Sequence, residues 1–209
     1  RNMYFDSIVY IVDDNEGVRH SLTLLVESAG LAALACESAQ DFLDHYDPAR
    51  PGCLLLDIRM PQMSGLELQA RLVEDGVQLP VIIITGHADV LLAVRAMKAG
   101  ARDFFEKPFN DQLLLDSIAS AIELNVEVFL EQREISDFLA RVEKLSTRER
   151  EVMDLLVQGK VTKEVAATWG ISSKTVDAHR GNILGKTQMR SVYQLIMKTL
   201  KCKIDSVST

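Results

Sequence analysis

Three carboxylates, one hydroxyl and one ammonium group in the first half of the chain each come directly at the end of a short apolar run. These residues are Asp13, Asp14, Asp57, Thr85 and Lys107. Three carboxylates brought together raise one another's pKa unless positive charge neutralises them, which Lys107 and an oxygen-seeking ion such as Mg2+ would do. A carboxylate beside such groups is a candidate nucleophile that forms an acyl phosphate, and Asp57 is that candidate. The alternative, acids that only cap the helices that follow, is plausible for Asp14 alone.

The apolar runs before these residues have the length and composition of strands that are buried on both faces of a sheet. Helical patterns lie between them, with capping signals at Ser38 and Ser64 and a helix predicted over 88–99 that ends at Gly100. This alternation predicts a five-stranded, doubly wound parallel sheet, in which functional groups collect at the carboxyl ends of the strands. The predicted strands are Ile8–Val12, Leu31–Cys36, Cys53–Leu56, Val81–Ile84 and Asp103–Glu106.

Between Phe109 and Gln158 the chain contains neither Gly nor Pro, and apolar residues recur at helical spacing. We predict that the last helix of the first domain continues into a long helical linker. Its apolar stripe either mediates dimerisation or packs on its own domain.

A small all-α unit is predicted after the linker, with a capping signal at Ser146. The predicted helices are Thr147–Gln158, Thr162–Trp169, Ser173–Gly185 and Arg190–Leu200. The turn at Gly170 gives the middle two the spacing of a helix-turn-helix. On the later of these two, His179 falls on the buried stripe, so we interpret it as structural. Small residues on the opposite face suggest close backbone approach to a major groove, although a frayed last turn also explains Gly185.

Charge is distributed unevenly along the chain, whose net charge is -7. Residues 1–125 hold nine Lys and Arg against nineteen Asp and Glu, whereas residues 159–209 hold nine against three. An acidic N-terminal part and a basic C-terminal part predict different binding partners, unless the distribution of solvated charges is accidental. No apolar stretch approaches the roughly 18 residues of a membrane span. The three unclustered cysteines predict reduced thiols in a cytoplasmic protein.

Four motifs occur in the first half of the chain: IVDD at 11–14, LLLDIRMPQMSG at 54–65, IITGH at 83–87 and AMKAGARDFFEKPF at 96–109. Through these motifs, residues 6–123 resemble the receiver domain of two-component response regulators. The resemblance implies a flavodoxin-like fold, a phosphoacceptor at Asp57, an acid pocket at Asp13 and Asp14, and a cis peptide before Pro108. It also implies phosphoryl contacts at Thr85 and Lys107, and Mg2+ held by Asp14, Asp57 and the main-chain carbonyl of Arg59.

The same resemblance assigns the switch aromatic to Phe104, which lacks the hydroxyl of the tyrosine often found there. Phosphorylation by a sensor histidine kinase is then expected to remodel a dimer face. The candidate residues of this face are Val90, Ala93, Met97 and Lys98.

Four segments characterise the C-terminal unit: LSTREREV at 145–152, GKVTKEVA at 159–166, GISSKTVDAHR at 170–180 and NILGK at 182–186. Through these segments, the unit resembles the LuxR/FixJ-type helix-turn-helix of the NarL/FixJ response regulators. Base contacts are implied for Asp177, Ala178 and Gly181, and phosphate contacts for Lys160, Lys163, Lys174, Arg180 and Lys186. Two departures affect local stability: Val161 replaces a small polar helix cap, and Thr187 occupies a position that is usually leucine.

Together these resemblances predict a receiver domain at 6–123, a helical linker at 124–143 and a DNA-binding domain at 144–205. The expected function is transcription regulation, in which phosphorylation of Asp57 promotes homodimerisation and binding to double-stranded promoter DNA, with RNA polymerase as a further partner and no membrane partner. The receiver is expected to catalyse only its own phosphorylation and dephosphorylation. One alternative is a haloacid-dehalogenase-like phosphatase, which usually carries its Asp nucleophile after the first strand. Another is a receiver whose tail recruits a protein.

Overall fold

The chain forms two units in a computed structural model that describes residues 7–86 and 90–205. The first unit ends at Leu130 and the second begins at Glu131, so the boundary falls inside one long helix, α5, at Asp111–Glu143. Each unit has its own apolar core.

The first unit is built on a five-stranded parallel sheet with the strand order β2-β1-β3-β4-β5. The strands are β1 at Ile8–Val12, β2 at Ala32–Cys36, β3 at Gly52–Leu56, β4 at Val81–Thr85 and β5 at Asp103–Glu106. The predicted flavodoxin-like sheet is therefore confirmed. Its strands begin or end within one residue of the predicted positions.

Helices cover both faces of this sheet, because alternate side chains of each strand point to opposite faces. The helices of the first unit are α1 at Glu16–Ser28, α2 at Ala39–His45, α3 at Gly65–Glu74, α4 at Val90–Lys98 and α5. On β1, Tyr10 packs in the layer formed with α2, α3 and α4, whereas Val9 and Ile11 pack in the layer formed with α1 and α5. Burial on both faces explains why these strands read as continuous apolar runs.

The capping signals at Ser38 and Ser64 both lie at helix starts, as predicted, with one modification at Ser38. Ser64 and Glu67 form a reciprocal capping box at the start of α3. At α2, Ser38 Oγ accepts a hydrogen bond from the backbone N–H of Asp41, but the Asp41 carboxylate accepts from the N–H of Glu37. For α4, the predicted start at 88 lies outside the described residues.

Helix α5 is continuous, as predicted for the linker. Its residues Ile118, Ile122 and Val126 are buried in the first unit, and Phe138 is buried in the second. Packing within each unit therefore accounts for most of the apolar stripe. A role of the linker in dimerisation stays a prediction.

The second unit contains four short helices after α5. They are α6 at Thr147–Val157, α7 at Thr162–Trp169, α8 at Ser173–Thr187 and α9 at Val192–Asp205. Gly170 ends α7 in the left-handed conformation, with φ of 63°, which favours glycine because it has no Cβ. The turn then leads into α8, so the predicted helix-turn-helix is confirmed. Helix α8 runs two residues further than predicted.

Val161, the N-cap residue before α7, provides no side-chain cap, because the valine side chain has no hydrogen-bond acceptor. At this N-terminal end of the helix, the carboxylate of Glu164 accepts a hydrogen bond from the Val161 N–H. We expect Val161→Ser to stabilise the second unit by about 1 kcal/mol, since a serine hydroxyl can accept from an exposed N–H of the first turn. Urea unfolding followed by the fluorescence of Trp169, the single tryptophan, reports this unit. Val161→Ala is the control, and an equal gain from both variants would contradict a capping effect.

Among the helices in the part of the chain that the structure describes, none combines the length and apolar character of a membrane span. The cysteines Cys36, Cys53 and Cys202 are buried, and none of them forms a disulfide within the described residues. Burial raises the pKa of the Cys53 thiol to about 12, so this side chain stays a neutral thiol at neutral pH.

Candidate functional site

The hydrogen bonds of the sheet bring the sequence-predicted polar residues to one edge. The backbone N–H of Asp57, just after β3, donates to the carbonyl of Val12 at 2.9 Å. The N–H of Lys107, after β5, donates to the carbonyl of Thr85 at 2.9 Å. The carboxyl ends of four neighbouring strands therefore meet at one place, as the parallel topology requires.

Lys107 bridges two of the carboxylates at this edge. Its Nζ lies 2.5 Å from Asp13 Oδ2 and 3.2 Å from Asp57 Oδ2. Both acids are nearly inaccessible, with relative exposures of 2% for Asp13 and 9% for Asp57. Buried carboxylates need such a partner, because an uncompensated charge in the interior is costly.

The two adjacent acids after β1 have different environments. Burial raises the pKa of Asp13 above its usual value, while hydrogen bonds from Lys107 and from the backbone N–H of Asn15 act in the opposite direction. Asp14 is exposed. Asp13 therefore holds the lysine inside the site, and Asp14 is the acid that faces the solvent.

The three carboxylates can converge on one cation. Oxygen atoms of Asp13, Asp14 and Asp57 all lie within 4.8 Å of one another. Carboxylate oxygens at this spacing fit a hard divalent cation, and three carboxylates beside the single ammonium group of Lys107 give a physical reason to bind one. The N–H of Arg59 donates to Asp57 Oδ1 at 3.3 Å, which brings the Arg59 backbone to the same site. The Arg59 carbonyl as a ligand stays a prediction.

The loop after β3 packs closely against the Asp57 backbone. A Cβ on Gly65 would lie 2.2 Å from the Asp57 carbonyl oxygen, so only glycine fits there. The Gly65 N–H donates to the carbonyl of Ile58 at 2.9 Å and closes the loop. This packing holds Asp57 in place, and it gives the glycine of the sequence motif a physical role.

Two residues that support the site were missed by the sequence reasoning. The N–H of Asn15 donates to Asp13 Oδ1 at 2.8 Å, and Arg19 Nη1 donates to the Asp13 carbonyl at 2.8 Å. Asn15 also caps α1, which was a readable signal at the start of that helix. Arg19 gave no comparable signal.

The remaining receiver residues lie in different environments. Thr85 is fully buried, and Phe104 is half-buried against the layer formed with α2, α3 and α4. The Lys107–Pro108 peptide is cis, as the resemblance implied. Of the predicted dimer-face residues, Val90, Met97 and Lys98 are exposed and Ala93 is half-buried. None of these four is buried in the core.

In the second unit, the outward side of α8 and the start of α7 carry the predicted DNA contacts. Most of these residues are exposed, namely Lys160, Lys163, Lys174, Asp177, Ala178, Gly181 and Lys186, whereas Arg180 is half-buried. A Cβ on Gly181 or Gly185 would meet no atom within 4 Å, so packing inside the chain does not explain these glycines. Gly185 lies within α8, which argues against a frayed last turn. His179 is half-buried.

Lys186 also has an internal partner. Its Nζ lies 2.6 Å from Oε2 of Glu149, a carboxylate in α6 whose relative exposure is 5%. The hydrogen bond from Lys186 lowers the pKa of Glu149, so the pair ties α6 to α8. A phosphate contact by Lys186 stays a prediction. Thr187 is buried, and its hydroxyl donates to the carbonyl of Ile183 at 2.7 Å, which satisfies the polar group at this usually apolar position.

Lys174 and Asp177 should differ in how they affect DNA binding. We expect Lys174→Ala to weaken binding to many sequences alike and to make the salt dependence shallower by about one unit. We expect Asp177→Ala to change sequence preference, because a carboxylate accepts from cytosine N4 but repels phosphate. Titration of several duplexes at several salt concentrations distinguishes the two, and the reverse pattern would refute both roles.

Comparisons with known proteins identify the class of protein that this fold and these sites define. Residues 9–119 match the response regulator receiver domain, and residues 143–199 match the bacterial regulatory proteins of the luxR family. The chain therefore belongs to the response regulators that join a receiver to a LuxR-type DNA-binding domain, and it is a transcription regulator. The receiver match favours this function over the phosphatase alternative.

Similar proteins cover nearly the whole chain. The response regulator protein TmoT of Ectopseudomonas mendocina is 43% identical over 95% of this chain and 90% of its own length. The transcriptional regulatory protein FixJ of Rhizobium meliloti is 42% identical over 93% of this chain and 96% of its own length. Among solved structures, the response regulator StyR matches with a TM-score of 0.83 and 39% identity, covering 94% of this chain and 99% of StyR. The FixJ-N crystal structure matches with a TM-score of 0.53 and 47% identity, covering 56% of this chain and 94% of that one.

Proposed function

We propose that a sensor histidine kinase transfers a phosphoryl group to Asp57, and that the phosphorylated chain dimerises and binds promoter DNA. The observation that carries this proposal is the position of Lys107 Nζ between the nearly buried Asp13 and Asp57 carboxylates. A nucleophile held beside a fixed cation is arranged to receive a transferred anionic group.

The transfer is a displacement at phosphorus. A carboxylate oxygen of Asp57 forms the new P–O bond as the P–N bond of the kinase phosphohistidine breaks. The released imidazole nitrogen keeps the electron pair and takes up a proton from solvent. Lys107 binds one phosphoryl oxygen and the Thr85 hydroxyl binds another. The catalysis by this chain is limited to its own phosphorylation and dephosphorylation.

Mg2+ is the proposed cofactor. The mutual spacing of the Asp13, Asp14 and Asp57 carboxylates fits this ion. The resemblance implies that its main ligands are Asp14, Asp57 and the main-chain carbonyl of Arg59. When bound, Mg2+ supplies positive charge that neutralises the phosphoryl oxygens.

The output is proposed to be promoter binding by the second unit. Exposed lysines around α7 and α8 would contact phosphates, while the small residues Ala178 and Gly181 permit close approach to base edges. The exposed side of α4, at Val90, Met97 and Lys98 with half-buried Ala93, is the proposed dimer face. RNA polymerase is the proposed downstream partner, and the cytoplasm is the proposed location because the promoter lies there.

Salt-dependent binding to promoter DNA, with and without acetyl phosphate as phosphodonor, tests this function. We expect acetyl phosphate with Mg2+ to tighten binding and to shift the chain from monomer to dimer in sedimentation. Affinity should fall as salt rises, since phosphate contacts release counterions. Absence of duplex affinity in either state would contradict the proposal and would favour a tail that recruits a protein.

A further inference from the structure

Thr162, the first residue of α7, contacts two residues of α8 through its hydroxyl. Arg180 Nη1 donates to Thr162 Oγ1 at 2.8 Å, and Thr162 Oγ1 donates to Asp177 Oδ1 at 3.3 Å. Arg180 Nη1 also donates to Asp177 Oδ1 at 3.1 Å. The three side chains therefore form a closed triangle of hydrogen bonds between the two helices of the helix-turn-helix.

This triangle restrains Asp177 without using all of its acceptor capacity. An ionised carboxylate has roughly four acceptor positions on two oxygens. The two hydrogen bonds of the triangle that Asp177 accepts both go to Oδ1, and Oδ2 has no hydrogen bond with the residues that the structure describes. The Asp177 side chain is 58% exposed, so Oδ2 stays available to a ligand.

The triangle also reduces the electrostatic cost of an acid at a DNA surface. An isolated carboxylate repels the phosphate backbone, but the Arg180 guanidinium at 3.1 Å offsets its charge. The Thr162 hydroxyl adds the restraint that a salt bridge alone lacks, because two hydrogen bonds from different helices limit the rotation of the carboxylate. A group that is oriented before binding loses less conformational entropy on binding.

We propose that Thr162 is a positioning residue for sequence recognition: it holds Asp177 so that Oδ2 accepts a hydrogen bond from a base amino group, either cytosine N4 or adenine N6. The inference rests on the proposed function, since it requires the second unit to bind DNA. Thr162 itself touches no base in this arrangement and acts through Asp177.

The Thr162 hydroxyl does not cap α7, because both of its hydrogen bonds are with residues of α8. Thr168, in the same helix, provides a matched control because its hydroxyl donates to the carbonyl of Glu164 within α7. It makes no hydrogen bond to α8 in the described structure.

Binding-site selection on the full phosphorylated chain, with Thr168→Val as the matched control, tests the inference with four variants. These are Thr162→Val, which removes the hydroxyl at nearly constant shape, Thr162→Ser, which keeps it, Asp177→Ala and the double variant Thr162→Val/Asp177→Ala. We expect Asp177→Ala to reduce discrimination at one base pair by about tenfold, and Thr162→Val to reduce it by about fivefold at the same base pair. Thr162→Ser and Thr168→Val should retain the preference, and the double variant should match Asp177→Ala alone.

The readout separates positioning from a loss of fold or charge. Thr162→Val should change affinity for random-sequence DNA less than twofold and leave the salt dependence unchanged, because it removes no phosphate contact. An unchanged base preference in Thr162→Val, equal losses in the Val and Ser variants, or additive effects in the double variant would each overturn the inference. These outcomes leave the proposed function intact, whereas a wild-type chain that binds no duplex would overturn both.

Discussion

Replacement of Asp57 by Asn is expected to reduce phosphorylation of the chain to background and to abolish the phosphorylation-dependent dimer. An amide is a much poorer nucleophile than a carboxylate, and it removes the charge that Lys107 contacts at 3.2 Å. Asp13 cannot replace it in the same way, since this carboxylate is held by Lys107 and Asn15 and is 2% exposed.

Labelling with a radioactive phosphodonor measures the first effect, and sedimentation with and without acetyl phosphate measures the second. Asp44→Asn is a matched control, because it makes the same chemical change at an exposed position on α2. Labelling of the Asp57 variant at the wild-type rate would show that another residue accepts the phosphoryl group. A dimer that still responds to acetyl phosphate would separate dimerisation from this site.

Replacement of Lys107 by Met should lower the free energy of unfolding of the first unit by about 3 kcal/mol at neutral pH. Methionine keeps much of the side-chain volume but leaves Asp13, whose side chain is 3% exposed, without its cation partner. Breaking one half of a buried ion pair is costly because the remaining charge is neither hydrated nor paired.

The loss should depend on pH in a defined direction. Burial already raises the pKa of Asp13 in the folded chain, and removal of Lys107 raises it further. A raised pKa in the folded state means that the protonated form is favoured there, so stability is lost as pH rises through the folded-state pKa. The deficit of the variant should therefore be largest near neutral pH and shrink as the pH approaches the ordinary aspartate value near 3.8.

Chemical unfolding in the presence of a chelator, at neutral and acidic pH, measures this difference without divalent cations. Lys98→Ala is the control, because Lys98 is exposed on α4 and should cost little. A deficit of equal size at both pH values would argue against an unpaired Asp13 carboxylate as its cause.

Much of the fold could be predicted because it depends on local patterns. The strands β1 and β5 begin and end at the predicted residues, since a short apolar run bounded by polar residues is visible in the chain itself. The capping boxes at Ser64 and Ser146 were equally visible, because their partners lie three residues apart. Parallel topology then places the ends of these strands at one edge, which is why the acidic site could be inferred from the sequence alone.

Contacts between distant segments could not be predicted in this way. The motif predicts a phosphate contact for Lys186, which stays a prediction, whereas the ion pair of Lys186 with Glu149 joins residues of α8 and α6 that share no periodic pattern and could not be predicted. Likewise, the sequence gives no sign of the hydrogen bonds of Thr162, because their partners lie 15 and 18 positions away on another helix.

The sequence by itself determined which chemical groups stand at the ends of the strands, and thereby a carboxylate site built around Asp57. Only the tertiary structure decided the burial and the charge partner of each acid. Asp13 is buried against Lys107, whereas the adjacent Asp14 faces solvent. The physical reason is that strand and helix signals arise from side chains close in sequence, whereas burial and charge pairing depend on which distant elements pack together. The same reason explains why Asp177 could be read as a base contact from its position, while its restraint by Thr162 and Arg180 became visible only in the folded chain.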